Sequence, residues 1–300
     1  MSKPMTYTAF ALLALAVLAL AAILGGSILG ERKMARKIDV TVAPVPVPTG
    51  LAAIEHGRYL FSTRGCADCH GANGSGREVF HSPGMLVRSP NLTQGELSAT
   101  AHYRAEDWVR TLRHGVKPDG RPVMIMPSED FSRMPDADVG ALIAYIGTLA
   151  PAPGRPGTVQ LPVMVRVMYA FGMVRDAAEL IDHTRPPAAP VPPQVSLAHG
   201  AYVATSCVSC HGPGFSGGRI PGAPAEWPAP ANLTPGAGSA MVRYRTPELF
   251  MAMLRSGHRP DGTPISAVMP FASLGQLNDI DVRALHRYLL SLPPRAHGQR

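Results

Sequence analysis

From residue 7 to residue 30 the chain carries no charged side chain, and almost every position is Ala, Leu, Ile, Val, Phe or Gly. A helix of that length rises about 36 Å, enough to cross a hydrocarbon layer of about 30 Å. The apolar run continues past Ala19-Leu20-Ala21, where a cleaved export signal would end, so residues 7–30 read as an uncleaved membrane anchor. Beyond it the pattern becomes helical and amphipathic. Val139, Leu142, Ile143, Ile146 and Leu149 recur at three- and four-residue spacing and predict a helix over 136–149. Further helices are predicted over 51–63, 105–114, 197–205, 247–256 and 278–292. No alternating strand pattern competes, and the stretches between helices are rich in Gly and Pro. A second apolar patch, 161–174, is short and contains Arg166, so it reads as a linker helix packed between domains rather than a second span.

The chain repeats itself. His56-Gly57-x-Tyr59 returns as His199-Gly200-x-Tyr202, and Cys66-x-x-Cys69-His70-Gly71 as Cys207-x-x-Cys210-His211-Gly212. In the same order, Asn91-Leu92-Thr93 answers Asn232-Leu233-Thr234, Pro118-Asp119-Gly120 answers Pro260-Asp261-Gly262, Met126-Pro127 answers Met269-Pro270, and Tyr145 answers Tyr288. Six motifs in constant order at near-constant offset mean two copies of one unit. Proline runs at 44–48, 151–156 and 186–193 form semi-stiff connectors, because each ring fixes φ and removes a donor. The resulting division is anchor 7–30, Pro-rich tether 31–50, first domain 51–150, Pro-rich linker with a short helical segment 151–195, and second domain 196–294.

Two small units with few aromatics have little apolar surface to offset chain entropy, so something must fill each core. The four cysteines suggest what. They form two Cys-x-x-Cys pairs, each followed at once by His, the attachment signature of haem c. A zinc or redox-active pair shares the Cys-x-x-Cys spacing, but the following His, twice over in a repeated context, favours haem. Thioether links are therefore expected at Cys66, Cys69, Cys207 and Cys210, with His70 and His211 as proximal iron ligands. A sixth ligand has to recur in both copies. Met126 and Met269 do, each before Pro, whereas Met124 and Met134 have no counterpart. His81, His102, His114 and His258 read as surface residues, and the recurring His56 and His199 as packing or capping residues of the opening helices.

On these motifs both units resemble class I cytochrome c domains, over residues 51–150 and 196–294, and their order is similar to that of bacterial multi-haem cytochromes associated with periplasmic dehydrogenases and oxidases. The resemblance implies a mainly α fold of helices and long loops wrapped around haem, in two tandem domains after an N-terminal transmembrane helix. It also implies that Gly57 packs against Tyr145 and Gly200 against Tyr288. In the family a proline carbonyl accepts the proton of the ligand histidine. That role falls on Pro90, and in the second unit, which reads Pro230-Ala231-Asn232-Leu233, on Ala231. Arg113 and Arg255 recur before Gly and suit either a haem propionate or a solvated helix end.

The formal charge is +7, but two haems with four propionates bring it to about +3, too small a bias to argue for nucleic acid. The expected function is electron transfer by two haem c groups outside the cytoplasmic membrane, without enzymatic activity of its own. The donor would be a dehydrogenase or quinol-oxidising complex, and the acceptor an oxidase or soluble cytochrome. A di-haem enzyme such as a peroxidase is the alternative and needs an open iron. Both units keep their Met-Pro and every cysteine is used, which disfavours it. Arg32, Lys33, Arg36 and Lys37 follow the anchor and by the positive-inside rule would hold the domains in the cytoplasm. Haem attachment on the outer side demands the periplasm instead, with the basic stretch expected against anionic headgroups.

Overall fold

A computed structural model of the chain describes residues 3–236 and 238–300. It opens with α1, Lys3–Met34. The apolar positions within it lie exposed on every side, including Phe10, Leu15 and Leu18, each more than half accessible, as a span requires. The helix outlasts the predicted anchor by one turn because nothing in Glu31-Arg32-Lys33-Met34 breaks it.

The first repeat contains α2 (Leu51–Thr63), α3 (Cys66–His70), α4 (Ala105–His114), α5 (Ser128–Phe131) and α6 (Asp136–Gly147). Two linker helices follow, α7 (Val163–Ala170) and α8 (Ala177–Leu180). The second repeat supplies α9 (Leu197–Ala204), α10 (Val208–His211), α11 (Pro247–Ser256), α12 (Phe271–Leu274) and α13 (Asp279–Ser291). The middle helices match expectation because their ends are strongly marked. Gly115 and Gly257 close α4 and α11 at φ 63° and 72°, and Thr246 caps α11 with Pro247 in its first turn.

In each repeat the opening helix crosses the closing helix at a glycine. A Cβ on Gly57 would stand 2.0 Å from the Ala141 carbonyl oxygen and 2.8 Å from Tyr145 Cβ, and one on Gly200 would stand 2.1 Å from Ala284 O and 2.6 Å from Tyr288 Cβ. Only a residue without Cβ permits that approach, which is the contact the resemblance implies. Separate hydrophobic cores form around the two crossings. Leu60, Phe61, Val139 and Leu142 anchor the first, and Val203, Leu254, Leu285 and Leu289 the second.

Three features depart from expectation. A small antiparallel sheet is present in the order β1 (Glu78–Ser82), β2 (Met85–Arg88), β3 (Thr158–Gln160), where none was predicted. Its strands are too short for alternation to stand out, and β3 comes from the linker. The tether does not hang free: Val45 is buried in the first core, Ile38 N–H donates to Gly120 O at 2.9 Å, and a Cβ on Gly140 would meet Pro46 O at 2.2 Å. Finally, α7 packs closely against the end of α1, which the sequence did not indicate, while its Val165 and Met168 line a cleft shared with Phe80 and Met85 of the first repeat and Ile220 and Pro221 of the second.

That junction also occupies the basic stretch. Lys33 Nζ pairs with Glu179 at 2.8 Å and Arg36 with Asp176 at 2.7 Å, while Lys37 donates to Asp119 O. These cations have protein partners at the end of α1.

Candidate functional site

Each cysteine motif sits on a short helical turn directly after the opening helix. In the first repeat Gly65, at φ 78°, breaks α2 so that α3 starts in a new direction. The second repeat has Ser206 at that position, where a positive φ is costly, and the chain passes through a 3-10 turn, Thr205–Cys207, into α10. No disulfide joins the four cysteines, and burial pushes each thiol above its ordinary value, Cys66 and Cys207 to about 12.

His70 Nδ1 lies 3.0 Å from Pro90 O, and His211 Nδ1 lies 2.8 Å from Ala231 O. A carbonyl only accepts, so in both rings Nδ1 carries the proton and Nε2 keeps the lone pair that binds a metal. Burial holds both imidazoles below the ordinary histidine value, hence neutral. The departure of the second unit from proline to alanine leaves the bond intact, since it needs only the carbonyl oxygen.

The loops bearing those carbonyls are stapled by Asn91 and Asn232, both fully buried. Asn91 Oδ1 accepts from Thr93 N and Oγ1, both at 2.9 Å, and its Nδ2 donates to Ala152 O at 3.0 Å. Asn232 repeats the arrangement with Thr234 and with Arg295 O at 2.7 Å. Each Asn-Leu-Thr thus ties the histidine-holding loop to the chain leaving the closing helix. Sequence reasoning used these residues only as markers of the repeat.

Met126 and Met269 are half-buried at the margins of the two cores. Met126 joins the cluster that includes Cys66, Ala67 and Tyr145, and Met269 the one that includes Cys207, Val208 and Tyr288. Met134 is core filler, as its lack of a counterpart suggested. Arg113 and Arg255 pair with Asp136 and Asp279, each at 2.7 Å, and so join the middle helix to the closing helix.

The recurring His and Tyr of the opening helices form the joint between the repeats. Tyr59 O–H donates to Asp281 Oδ2 at 2.6 Å and accepts from Asn278 N–H at 3.1 Å, while Tyr202 O–H donates to Asp138 Oδ2 at 2.6 Å. Each carboxylate also bonds the histidine of its own repeat, His56 to Asp138 at 2.7 Å and His199 to Asp281 at 2.6 Å. Arg64, buried, lies 4.3 Å from the Tyr202 ring centroid and donates to Ser206 Oγ at 2.7 Å. The cysteine turns join in as well. Asp68, between Cys66 and Cys69, accepts from Ser273 Oγ at 2.5 Å, and Asp130 accepts from Ser209 N–H, between Cys207 and Cys210, at 3.0 Å. The interface is a pseudo-two-fold in which the cysteine turn of each repeat meets the helix after Met-Pro of the other. The recurrence of Asp138 and Asp281 was the available sequence signal for it.

Two half-buried thiols, an imidazole fixed through Nδ1 and a thioether at the edge of the same core are a set that fits a covalently held haem, and the set occurs twice. This defines a class: tandem, mainly α domains built around haem c. The chain belongs to the cytochrome c family, whose sequence model matches residues 54–150 and again 197–293. It carries two covalently bound haem c groups, and its chemistry is haem-based electron transfer. Among curated proteins it is 28% identical over 283 residues to the fructose dehydrogenase cytochrome subunit of Gluconobacter japonicus, covering 85% of this chain and 56% of that protein. It is 26% identical to the cytochrome c subunit of alcohol dehydrogenase (quinone) of Gluconobacter oxydans (strain 621H), covering 91% and 63%. The gluconate 2-dehydrogenase cytochrome c subunit of Pantoea cypripedii matches at 25%, covering 83% and 61%. The chain therefore spans less than two thirds of the length of each of these relatives.

Proposed function

We propose that this chain is a membrane-anchored electron carrier of the periplasm, with haem domains over 51–150 and 196–294. Cys66 and Cys69 hold one haem and Cys207 and Cys210 the other, His70 and Met126 are the axial ligands of the first iron, and His211 and Met269 those of the second. Haem c supplies one-electron exchange between ferric and ferrous iron. The residues of this chain fix the imidazoles, brace each attachment turn against the other repeat and hold the two repeats together. The observation that carries the reading is the pair of Nδ1-to-carbonyl bonds, made from different residues in the two repeats yet with the same outcome. Similarity to cytochrome subunits of fructose, alcohol and gluconate dehydrogenases supports a dehydrogenase as the electron donor. The acceptor in this reading is an oxidase or soluble cytochrome.

Absorbance spectra of the oxidised, reduced and carbon monoxide-treated protein test the ligand assignment. Two low-spin haems that ignore carbon monoxide are expected, with Met126→Ala and Met269→Ala each opening one of them. Carbon monoxide binding by the unmutated protein would replace the carrier with an enzyme carrying an open iron.

A further inference from the structure

Helix α7 meets α1 at two glycines. A Cβ on Gly30 would stand 2.3 Å from the Arg166 carbonyl oxygen, and one on Gly26 would stand 3.2 Å from both Val167 methyls and 3.4 Å from the Phe171 ring. Both glycines belong to the apolar run that ends at Glu31. Gly26 lies five residues before that charge, about 7.5 Å along the axis, so the Phe171 end of α7 sits below the polar edge of the span. Arg166 is the sole charge between Leu161 and Val174, and it pairs with Glu31 at 2.8 Å, at that edge.

The outward side of the segment is apolar and uncovered. Val163, Met164, Phe171 and Met173 are 42%, 55%, 65% and 56% exposed. The segment cannot swing away from α1: Tyr169, fully buried, receives Lys33 Nζ on its carbonyl at 2.9 Å, and its hydroxyl joins Arg36 and Asp176. The Lys33–Glu179 and Arg36–Asp176 pairs close the same junction from α8.

We propose that α7 and the Phe171–Met173 turn lie in the outer leaflet of the membrane that α1 crosses, against the acyl chains of its phospholipids. This rests on reading α1 as a membrane span. At the level of Gly26 the surface of α1 itself faces hydrocarbon, and a segment packed on that surface shares its surroundings. The segment is far too short to span and has its charge at the polar edge, which is the pattern of a helix lying in the interface. The chain then has two membrane contacts, one transverse and one lateral. Together with the tether packed on the first domain, they fix which side of the domain pair faces the bilayer.

The test uses the full, haem-loaded chain in phosphatidylcholine and phosphatidylglycerol vesicles containing a phosphatidylcholine with a photoactivatable diazirine on its acyl chain. Illumination is followed by peptide mapping. Lipid adducts are expected on α1 and on 161–174, and the exposed double variant Phe171→Ser/Met173→Ser is expected to lose those of the segment while keeping those of α1. Adducts on α1 with none on 161–174 would overturn the lateral contact and leave the anchor standing. Adducts on neither would remove the anchor and the inference together.

Discussion

If the reciprocal tyrosines hold the two repeats together, removing their hydroxyls should uncouple the domains without disturbing either one. Tyr59→Phe is the more severe change. Its hydroxyl serves both the Asp281 carboxylate and the Asn278 N–H, and Asp281 is shut in with His199, whose side chain is 5% exposed. A hydrogen bond to a charged group contributes about 1.5–3 kcal/mol, and the exposed Asn278 N–H turns to water, so this variant should cost about 1.5–3 kcal/mol of docking. Tyr202→Phe removes one bond to Asp138, whose other partner His56 is 45% exposed, and the phenyl face can still receive Arg64. About 1–2 kcal/mol follows, because water reaches the site. Together the two changes should weaken docking by a factor of about 10² to 10⁴, at a factor of ten per 1.4 kcal/mol. Scanning calorimetry of the haem-loaded chain in detergent reads this directly. The unmutated protein is expected to unfold both repeats in one transition, and the double variant to show two. Because His56–Asp138 and His199–Asp281 survive, the haem spectra should not change. A double variant that melts in one transition at the original temperature would refute the clamp.

Two further changes probe the fold and its pH response. Gly57→Ala or Gly200→Ala should lower the urea midpoint of the shared transition by the equivalent of about 2 kcal/mol or more, because the added methyl meets a backbone carbonyl and the opening helix has to move off. An unchanged midpoint, followed by far-ultraviolet circular dichroism, would contradict the close crossing. Burial pushes the Asp130 carboxyl up to about 7 from the ordinary 3.8, against the opposing hydrogen bonding of Ser209. The folded chain therefore keeps a proton that the unfolded chain releases, and stability falls as pH rises through about 4 to 7. Asp130→Asn should escape that loss, so its melting-temperature advantage should grow across this window and level off above it. An advantage independent of pH would contradict the assignment.

What the sequence made legible follows from how local each signal is. The attachment turns and the middle helices are written in spacing and caps within ten residues of each other, and they were found where they stand. The carbonyl partners of His70 and His211 lie 20 residues away in both repeats and were reached through the resemblance. The sheet escaped notice because β3 pairs with β2 across some seventy residues, and its three positions carry no period of their own. The packing of α7 on α1 was not foreseen because an apolar octet does not say which surface it covers. The pointer was the Gly26 and Gly30 pair, four apart in the anchor, which lets another helix approach closely. His56, Tyr59 and their counterparts were visible as repeats, yet a repeated polar residue on a helix looks the same whether it faces water or a second domain.

The differences between the copies carry information of a similar kind. Among the aligned positions where the repeats differ, two meet across the joint: Asp68 stands against Ser209 in the cysteine turn, and Asp130 against Ser273 in the helix after Met-Pro. Taken alone, each disagreement looks like drift. In the docked pair the contacts run between the two positions, turn to helix, so each contact holds one carboxylate and one donor. Two first repeats docked in this way would crowd two partly desolvated carboxyl groups, Asp68 and Asp130, together at both contacts, and two second repeats would set serine against serine with no carboxylate at either. Only the mixed pair gives each contact one carboxylate. The arrangement thus favours a first repeat docked on a second over either repeat on its own kind, and the two attachment turns face across one joint because the copies have become complementary where they stopped being identical.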